Sequence, residues 1–71
     1  MNRTPVSSSN LRSVGYDSSA QTLEVEFQDS GVFQYSGVPA ARYSGLMGAP
    51  SKGEYFDNYI KKGGYPYRKV Q

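Results

Sequence analysis

The sequence predicts an α+β domain in which a small antiparallel meander of three strands packs against two helices, with a basic C-terminal tail. Alternating apolar and polar residues in the N-terminal half indicate half-buried strands. Short turns separate these segments, and short turns favour antiparallel neighbours. Helical spacing of apolar residues follows after Pro39. Strands followed by helices indicate two packed layers, and a chain of 71 residues can bury only one modest core.

The three strands are predicted at residues 11–16, 22–28 and 32–36. The second has the clearest alternation, with Leu23, Val25 and Phe27 on one face and polar side chains on the other. Turn-forming Asp, Ser and Gly residues lie on either side of it. Phe33 and Tyr35 share one face of the third strand. We therefore expect both rings to join the apolar face of the second strand beneath the helices.

The first helix is predicted from Pro39, because proline suits a first helical turn, where its missing N–H is not needed. Gly48 and Pro50 are expected to end this helix. Apolar residues at helical spacing lie between them, at Ala40, Tyr43 and Leu46 or Met47.

The second helix is predicted from stronger signals. Ser51 and Glu54 have the spacing of a capping box, in which each side chain binds a backbone N–H at the start of the helix. Gly63 or Gly64 is expected to supply the left-handed residue that ends it. An apolar stripe lies between them, at Tyr55, Phe56, Tyr59 and Ile60.

The composition excludes several kinds of site. The chain has no Cys and no His, so it has no disulfides, no zinc site built from those residues and no Ser-His nucleophile. Glu24 and Glu26 share a strand face, as a glycosidase pair could, but neither has apolar surroundings that would raise its pKa. We expect a solvated strand face there, and no catalytic residue, cofactor or metal.

The N-terminal segment, residues 1–10, is polar and lacks the apolar region of a secretory signal. We expect it to be flexible. No apolar run approaches the roughly 18 residues of a membrane span. The sequence therefore predicts a cytoplasmic location without a membrane partner.

Positive charge is concentrated at the C-terminus. Residues 1–60 carry four basic and six acidic side chains, whereas residues 61–71 carry four basic and no acidic ones. Single-stranded nucleic acid is bound by cations along its phosphates and rings under its bases. The candidate nucleic-acid-binding residues are Lys61, Lys62, Tyr65, Tyr67, Arg68 and Lys69. The alternative is a solvated tail, in which the two lysines only complement the helix dipole.

Phe33 and Tyr35 allow two interpretations. Aromatic residues on a sheet stack bases in some RNA-binding folds. The other interpretation is packing beneath the helices, which the shared strand face favours.

Several short segments carry a resemblance that spans about Val6 to Lys62. They are Val6-Ser7-Ser8, Gly15-Tyr16-Asp17, Leu23 to Phe27, Gly31, Phe33-Gln34-Tyr35, Gly37-Val38-Pro39, Ala49 and Ser51 to Ile60. In this order and spacing they resemble the KTSC domain, found alone in bacterial and phage proteins and at the C-terminus of some lysyl-tRNA synthetases. The family's central motif is Tyr-x-Tyr, and this chain has Phe33 in the first place.

The chain is thus divided into a flexible segment at residues 1–10, a KTSC-like domain at residues 11–62 and a basic aromatic tail at residues 63–71. Attachment of the family to a tRNA-charging enzyme suggests RNA binding. The leading hypothesis is a small non-catalytic module that binds RNA or tRNA through its C-terminal surface. The alternative is a protein–protein interaction module. An enzyme is the third hypothesis, for which so small a domain has little room.

Overall fold

The computed structural model describes all 71 residues and confirms an α+β domain with an antiparallel sheet and two helices. The strands are β1 (Thr4–Pro5), β2 (Leu11–Asp17), β3 (Thr22–Phe27), β4 (Gly31–Tyr35) and β5 (Tyr67–Lys69), and the helices are α1 (Ala40–Gly48) and α2 (Lys52–Tyr55). α2 runs directly into a π-helical segment (Phe56–Ile60) and a 3₁₀ turn (Lys61–Gly63). These three segments, residues 52–63, are called the second helix. None of the helices has the length and apolar character needed to cross a membrane.

The sheet has five strands in the order β1-β2-β3-β4-β5, so the predicted three-stranded sheet was wrong in strand number. The two additional strands are its edges. β1 pairs with β2, placing Thr4 opposite Val14, and β5 pairs with β4 in the region expected to be a basic tail. Strands of two and three residues are too short to show an alternating pattern. They form because β2 and β4 offer unpaired backbone groups along their outer edges.

The core lies between the sheet and the two helices. Leu23 and Val25 are completely buried, as the alternation in β3 predicts. From the helices, Leu46, Phe56 and Ile60 pack against them. The remaining members of this core cluster are Leu11, Val14, Tyr35 and Val38. Two of the four positions in the predicted apolar stripe, Phe56 and Ile60, are therefore buried in the core, whereas Tyr55 is only partly buried and Tyr59 is 45% exposed.

The second helix begins after Ser51 and ends at Gly64 as predicted, but only the Ser51 half of the predicted capping box forms. The Ser51 hydroxyl accepts a hydrogen bond from the backbone N–H of Glu54 at 3.4 Å. Gly64 ends it in the left-handed conformation, with φ of +80°, which glycine adopts without a steric penalty. For α1, Pro39 is the residue just before the helix, and its carbonyl accepts from the N–H of Arg42 at 2.9 Å.

The sheet face away from the helices is not a solvated row of glutamates, so the expectation for Glu24 was wrong. Glu24 is only 6% exposed and forms an ion pair with Arg3. The Gln34 side chain donates a hydrogen bond to the other carboxylate oxygen of Glu24 at 2.8 Å. Arg3 also donates to Ser13 at 3.0 Å, and Ser13 donates to Glu26 at 2.9 Å. These residues are called the outer-face network.

The N-terminal segment reaches this face because Gly15 leaves room for it. A Cβ atom at position 15 would lie 2.5 Å from the backbone oxygen of Asn2 and 3.1 Å from Cγ of Arg3. Such distances are too short for a β-carbon, so a side chain there would displace Arg3. Burial alone would raise the pKa of Glu24, but the hydrogen bonds from Gln34 and Arg3 outweigh it and hold the pKa below its usual value.

Candidate functional site

A groove of about 450 Å³ lies between the second helix and the C-terminal side of the sheet. Its aromatic lining comes from β3, β4, β5 and the second helix, at Phe27, Phe33, Tyr35, Phe56 and Tyr67. This cavity is called the aromatic groove. Its size lies within the range of roughly 300–1,000 Å³ that is typical of small-molecule sites.

The rings of the aromatic groove hold one another in place. Phe56 meets Phe27 and Tyr35 edge to face, with ring centres 5.4 and 5.3 Å apart. Phe27 meets Phe33 in the same way at 5.5 Å. Tyr67 stacks on Tyr35 at 5.3 Å with an angle of 28° between the ring planes. Edge-to-face and offset stacked pairs are the favoured geometries of aromatic rings, so the floor of the groove is preformed.

Tyr67 differs from the other rings because it is 65% exposed, whereas Tyr35 beneath it is 6% exposed. It belongs to an edge strand of three residues whose side chains are all exposed. An aromatic side chain held on one side and open on the other is a platform on which another flat group can stack.

The register of β4 and β5 decides which C-terminal residues face the groove. Tyr35 lies opposite Tyr67, and Phe33 lies opposite Lys69. Directly opposed residues point to the same side of a sheet, so Tyr67 and Lys69 share the face of the aromatic groove. Arg68 points to the other face, where it donates a hydrogen bond to Gln34 at 3.4 Å.

Three charged side chains line the groove, and they are Asp29, Asp57 and Lys61. Asp57 and Lys61 form its rim on the second helix, where they lie four residues apart, each directly following a buried apolar residue. The one ion pair of the chain joins Arg3 to Glu24, so neither rim charge is neutralised by an ion pair. π-helical segments such as this one are frequent at functional sites.

The carboxylate charge of Asp57 at this rim affects the pKa of the Tyr35 hydroxyl. Burial raises its pKa above the usual value, and the neighbouring Tyr67 and the carboxylate of Asp57 raise it further.

The structure brings together only part of the predicted site. Lys61 and Tyr67 line the aromatic groove, and Lys69 lies beside it on the same sheet face. Arg68 lies on the opposite face, and Lys62 is exposed outside the groove. The nucleic-acid-binding role of the six predicted residues stays a prediction.

Tyr65 lies apart from the groove, in a small aromatic cluster on the helical layer. Its ring packs against Gly63 and is partly buried against the core. The side chains of Tyr55 and Tyr65 raise the pKa of Arg42, whose guanidinium lies 4.9 Å from the centre of the Tyr59 ring.

Packing beneath the helices is confirmed for Phe33 and Tyr35, whereas base stacking on them stays a prediction. Tyr35 belongs to the buried core and Phe33 is half-buried against it, yet both also line the aromatic groove. Sequence reasoning missed Asp57 and Phe56 as groove residues. The signal was present, since Asp57 and Lys61 lie one helical turn apart, each beside a position of the apolar stripe.

A polar depression of about 370 Å³ continues the groove toward the N-terminal segment. It shares Ser9, Asn10, Gly53 and Asp57 with the groove and has no hydrophobic lining. No group of three or more metal-binding side chains is present in the chain.

The sheet, the second helix and the space between them define a small α+β domain with an aromatic groove between its two layers. A family model described as the KTSC domain matches residues 7–65, and the chain belongs to this family. The resemblance inferred from the sequence is thereby confirmed.

Relatives of two kinds contain this domain. An uncharacterized protein of Stutzerimonas stutzeri is 39% identical over 70 residues, which cover 99% of each chain. A lysine–tRNA ligase of Trichormus variabilis is 39% identical over 60 residues, which cover 84% of this chain but only 10% of the ligase. The crystal structure of a KTSC domain protein from Yersinia pestis superimposes with a TM-score of 0.94 at 44% identity, covering 99% of this chain and 97% of that one.

Proposed function

We propose that this chain is a non-catalytic module that binds single-stranded RNA in the aromatic groove. The observation that carries the proposal is Tyr67, a ring that is 65% exposed and stacked on the buried Tyr35. Lys61 lies on the rim of the same groove, and Lys69 lies on the same sheet face. Stacking and phosphate contact require no reactive group, so the proposal includes no catalytic residue.

Stacking and charge have separate roles in this mechanism. A base stacks on the open side of Tyr67, and such base–aromatic stacking contributes about 1–3 kcal/mol per base. Lys61 and Lys69 contact phosphates or base edges on either side of that ring. The polar depression beyond Asp57 extends the groove and gives room for the adjoining part of the strand.

The relatives support an RNA partner by association. A lysine–tRNA ligase acts on tRNA, as its name states, and this domain covers 10% of the ligase in the matched relative. The name describes the whole ligase, so it supports proximity to RNA and gives no support for aminoacylation by this chain. A cytoplasmic location is consistent with that association and is proposed with it.

A protein–protein interaction module is the second candidate, favoured by the open edge of β5. The side chains of this strand are exposed, and no strand covers its outer side. An extended segment of another protein could add a strand there. Self-association by this route would appear as a concentration-dependent mass in light scattering, and Tyr67→Pro would abolish it.

Fluorescence anisotropy with a labelled single-stranded RNA of mixed sequence tests the RNA proposal. Tyr67→Ala is expected to weaken binding about 5- to 150-fold, which corresponds to loss of one stacked base. Tyr59→Ala is the matched control, because Tyr59 is 45% exposed but lies on the helical layer, outside the groove. The RNA affinity of Tyr59→Ala should equal that of the unaltered chain.

Salt dependence provides the second readout. Binding through phosphates weakens with added salt, by a logarithmic slope of about −0.7 per contact for single strands. Binding that is absent at low salt, or equally strong at high salt, contradicts the proposal. Equal losses for Tyr67→Ala and Tyr59→Ala would remove the aromatic groove as the site.

A further inference from the structure

The rim of the aromatic groove offers a hydrogen-bond acceptor beside a donor. The Asp57 carboxylate only accepts hydrogen bonds, and the Lys61 ammonium only donates them. Both line the groove, and neither is neutralised by an ion pair. Their spacing of four residues places them side by side on one helix face. A ligand that fills the groove therefore meets acceptor oxygens and a donor along one edge.

Tyr67 fixes the plane of such a ligand. Its ring lies in the lining of the same cavity as Asp57 and Lys61. A flat group stacked on the open face of Tyr67 would lie beside this cavity, which the second helix lines with Asp57 and Lys61. The volume of about 450 Å³ is sufficient for one base with its sugar.

We propose, as a deepening of the RNA-binding function, that the aromatic groove selects one unpaired guanine base. The base stacks on Tyr67, its N1–H and exocyclic N2–H donate to the two carboxylate oxygens of Asp57, and its O6 accepts from Lys61. Guanine is the RNA base whose Watson–Crick edge presents two adjacent donors beside an acceptor. That order is complementary to the rim.

The other bases fit less well. Uracil presents one N–H donor between two carbonyl acceptors, so it satisfies Lys61 and half of Asp57. Adenine and cytosine present an unprotonated ring nitrogen at the position that faces the Asp57 carboxylate. Two acceptors then face each other, and a site built to receive hydrogen bonds discriminates strongly against a ligand without the donors. The expected order is guanine, then uracil, then adenine and cytosine.

An arginine side chain from a protein partner is the competing occupant, because a guanidinium is also flat and also donates two parallel hydrogen bonds. It carries a positive charge, however, and Lys61 would lie beside that charge without an acceptor. Like charges at such a distance disfavour the complex. Guanine is neutral and offers O6 to Lys61, so hydrogen-bond complementarity favours the base.

Short oligouridylates that carry one central guanosine, inosine, adenosine or cytidine test the selection directly. Inosine is guanosine without the 2-amino group, so the pair isolates one hydrogen bond to Asp57. Fluorescence anisotropy at low salt should show guanosine bound roughly tenfold more tightly than inosine. Asp57→Asn leaves a single acceptor oxygen and should remove this difference.

Asp17→Asn is the matched variant. It makes the same substitution at the exposed end of β2, outside the lining of both the aromatic groove and the polar depression, and should retain the preference for guanosine over inosine. Equal affinities for guanosine and inosine in the unaltered chain overturn the inference. Loss of the preference in Asp17→Asn overturns it as well, because the effect would then be one of net charge.

The outcomes also separate this inference from the function on which it rests. Suppose that all four oligonucleotides bind with equal affinity, in a way that weakens with salt and requires Tyr67. That result would contradict the guanine site and support the RNA-binding module. If no oligonucleotide binds but arginine amide shifts the resonances of groove residues, both the guanine site and the RNA-binding function are contradicted. A protein partner then becomes the better proposal.

Discussion

The two faces of the sheet differ in how far their polar groups are satisfied. On the outer face, Arg3, Glu24 and Gln34 are joined by an ion pair and hydrogen bonds. On the helix-facing side, Asp57 and Lys61 border the aromatic groove without an ion pair, and Tyr67 is largely exposed. A charged group that is already paired has little left for a ligand. The comparison therefore supports a stabilising role for the outer face and the proposal that the groove is the binding site.

Phe56 tests the dependence of the groove on the core, and its removal should have the largest effect. The side chain is 2% exposed and contacts Phe27 and Tyr35. Phe56→Ala should lower the free energy of unfolding by about 3–5 kcal/mol, the usual cost of a large buried cavity. Urea denaturation measures it. Phe56→Leu, which keeps most of the volume, should cost under about 1.5 kcal/mol, and equal losses would show that packing is not the cause.

Glu24 tests the role of the outer face. Glu24→Gln removes the ion pair and leaves the partly buried Arg3 without its anion, so the free energy of unfolding should fall by about 1–3 kcal/mol. RNA affinity should not change, because Glu24 lies on the face away from the groove. A loss of affinity with intact folding would show that the outer face contributes to binding.

The same residue predicts a dependence of stability on pH. The pKa of Glu24 is lower in the folded chain than its usual value of 4.5, so the unfolded chain binds the proton more tightly. The stabilisation is present above pH 4.5 and is lost as the pH falls from there through the folded-state pKa. Unfolding free energies measured between neutral and acidic pH should show this loss, and Glu24→Gln should lack it. Parallel pH profiles for the two chains would remove Glu24 as the cause.

The smallest expected effect is the difference in RNA binding between variants of the neighbouring residues Lys61 and Lys62. Only Lys61 lines the aromatic groove. If Lys61 contacts a phosphate, Lys61→Gln should reduce the slope of log affinity against log salt by about 0.7. If Lys61 contacts O6 of guanine, the variant should keep the salt slope unchanged and lower the preference for guanosine. Lys62→Gln should leave the preference unchanged. Identical behaviour of the two variants would mean that net charge, rather than position, decides binding.

The parts of the fold that the sequence predicted are those with local signals. The alternation around Leu23 and Val25 identifies the strand and its buried face, and Ser51 and Gly64 identify the start and end of the second helix. These signals depend on neighbours within one strand or one helical turn. For that reason they can be read without knowledge of the tertiary structure.

The parts that the sequence did not predict depend on distant partners. β5 forms because β4 has an open edge that lies more than thirty residues away along the chain. Glu24 is buried because Arg3 crosses the sheet where Gly15 has no side chain. The aromatic groove likewise brings together Tyr67 of β5 and Asp57 of the second helix, which local sequence signals do not relate. Tyr67 and Lys61 were recognised by residue type. The face that Tyr67 occupies follows from the register of β4 and β5, and the position of Lys61 follows from the packing of the second helix against the sheet.

Mapping RNA-induced chemical-shift changes onto the two sheet faces tests the assignment of binding to the groove most directly. A ¹⁵N- and aromatic ¹³C-resolved titration with single-stranded RNA at low salt should shift Tyr35, Tyr67, Asp57 and Lys61. Glu24, Gln34 and Ser13 on the outer face should remain unchanged, and high salt should reverse the shifts. Shifts confined to the outer face, or no shifts at low salt, would contradict the assignment.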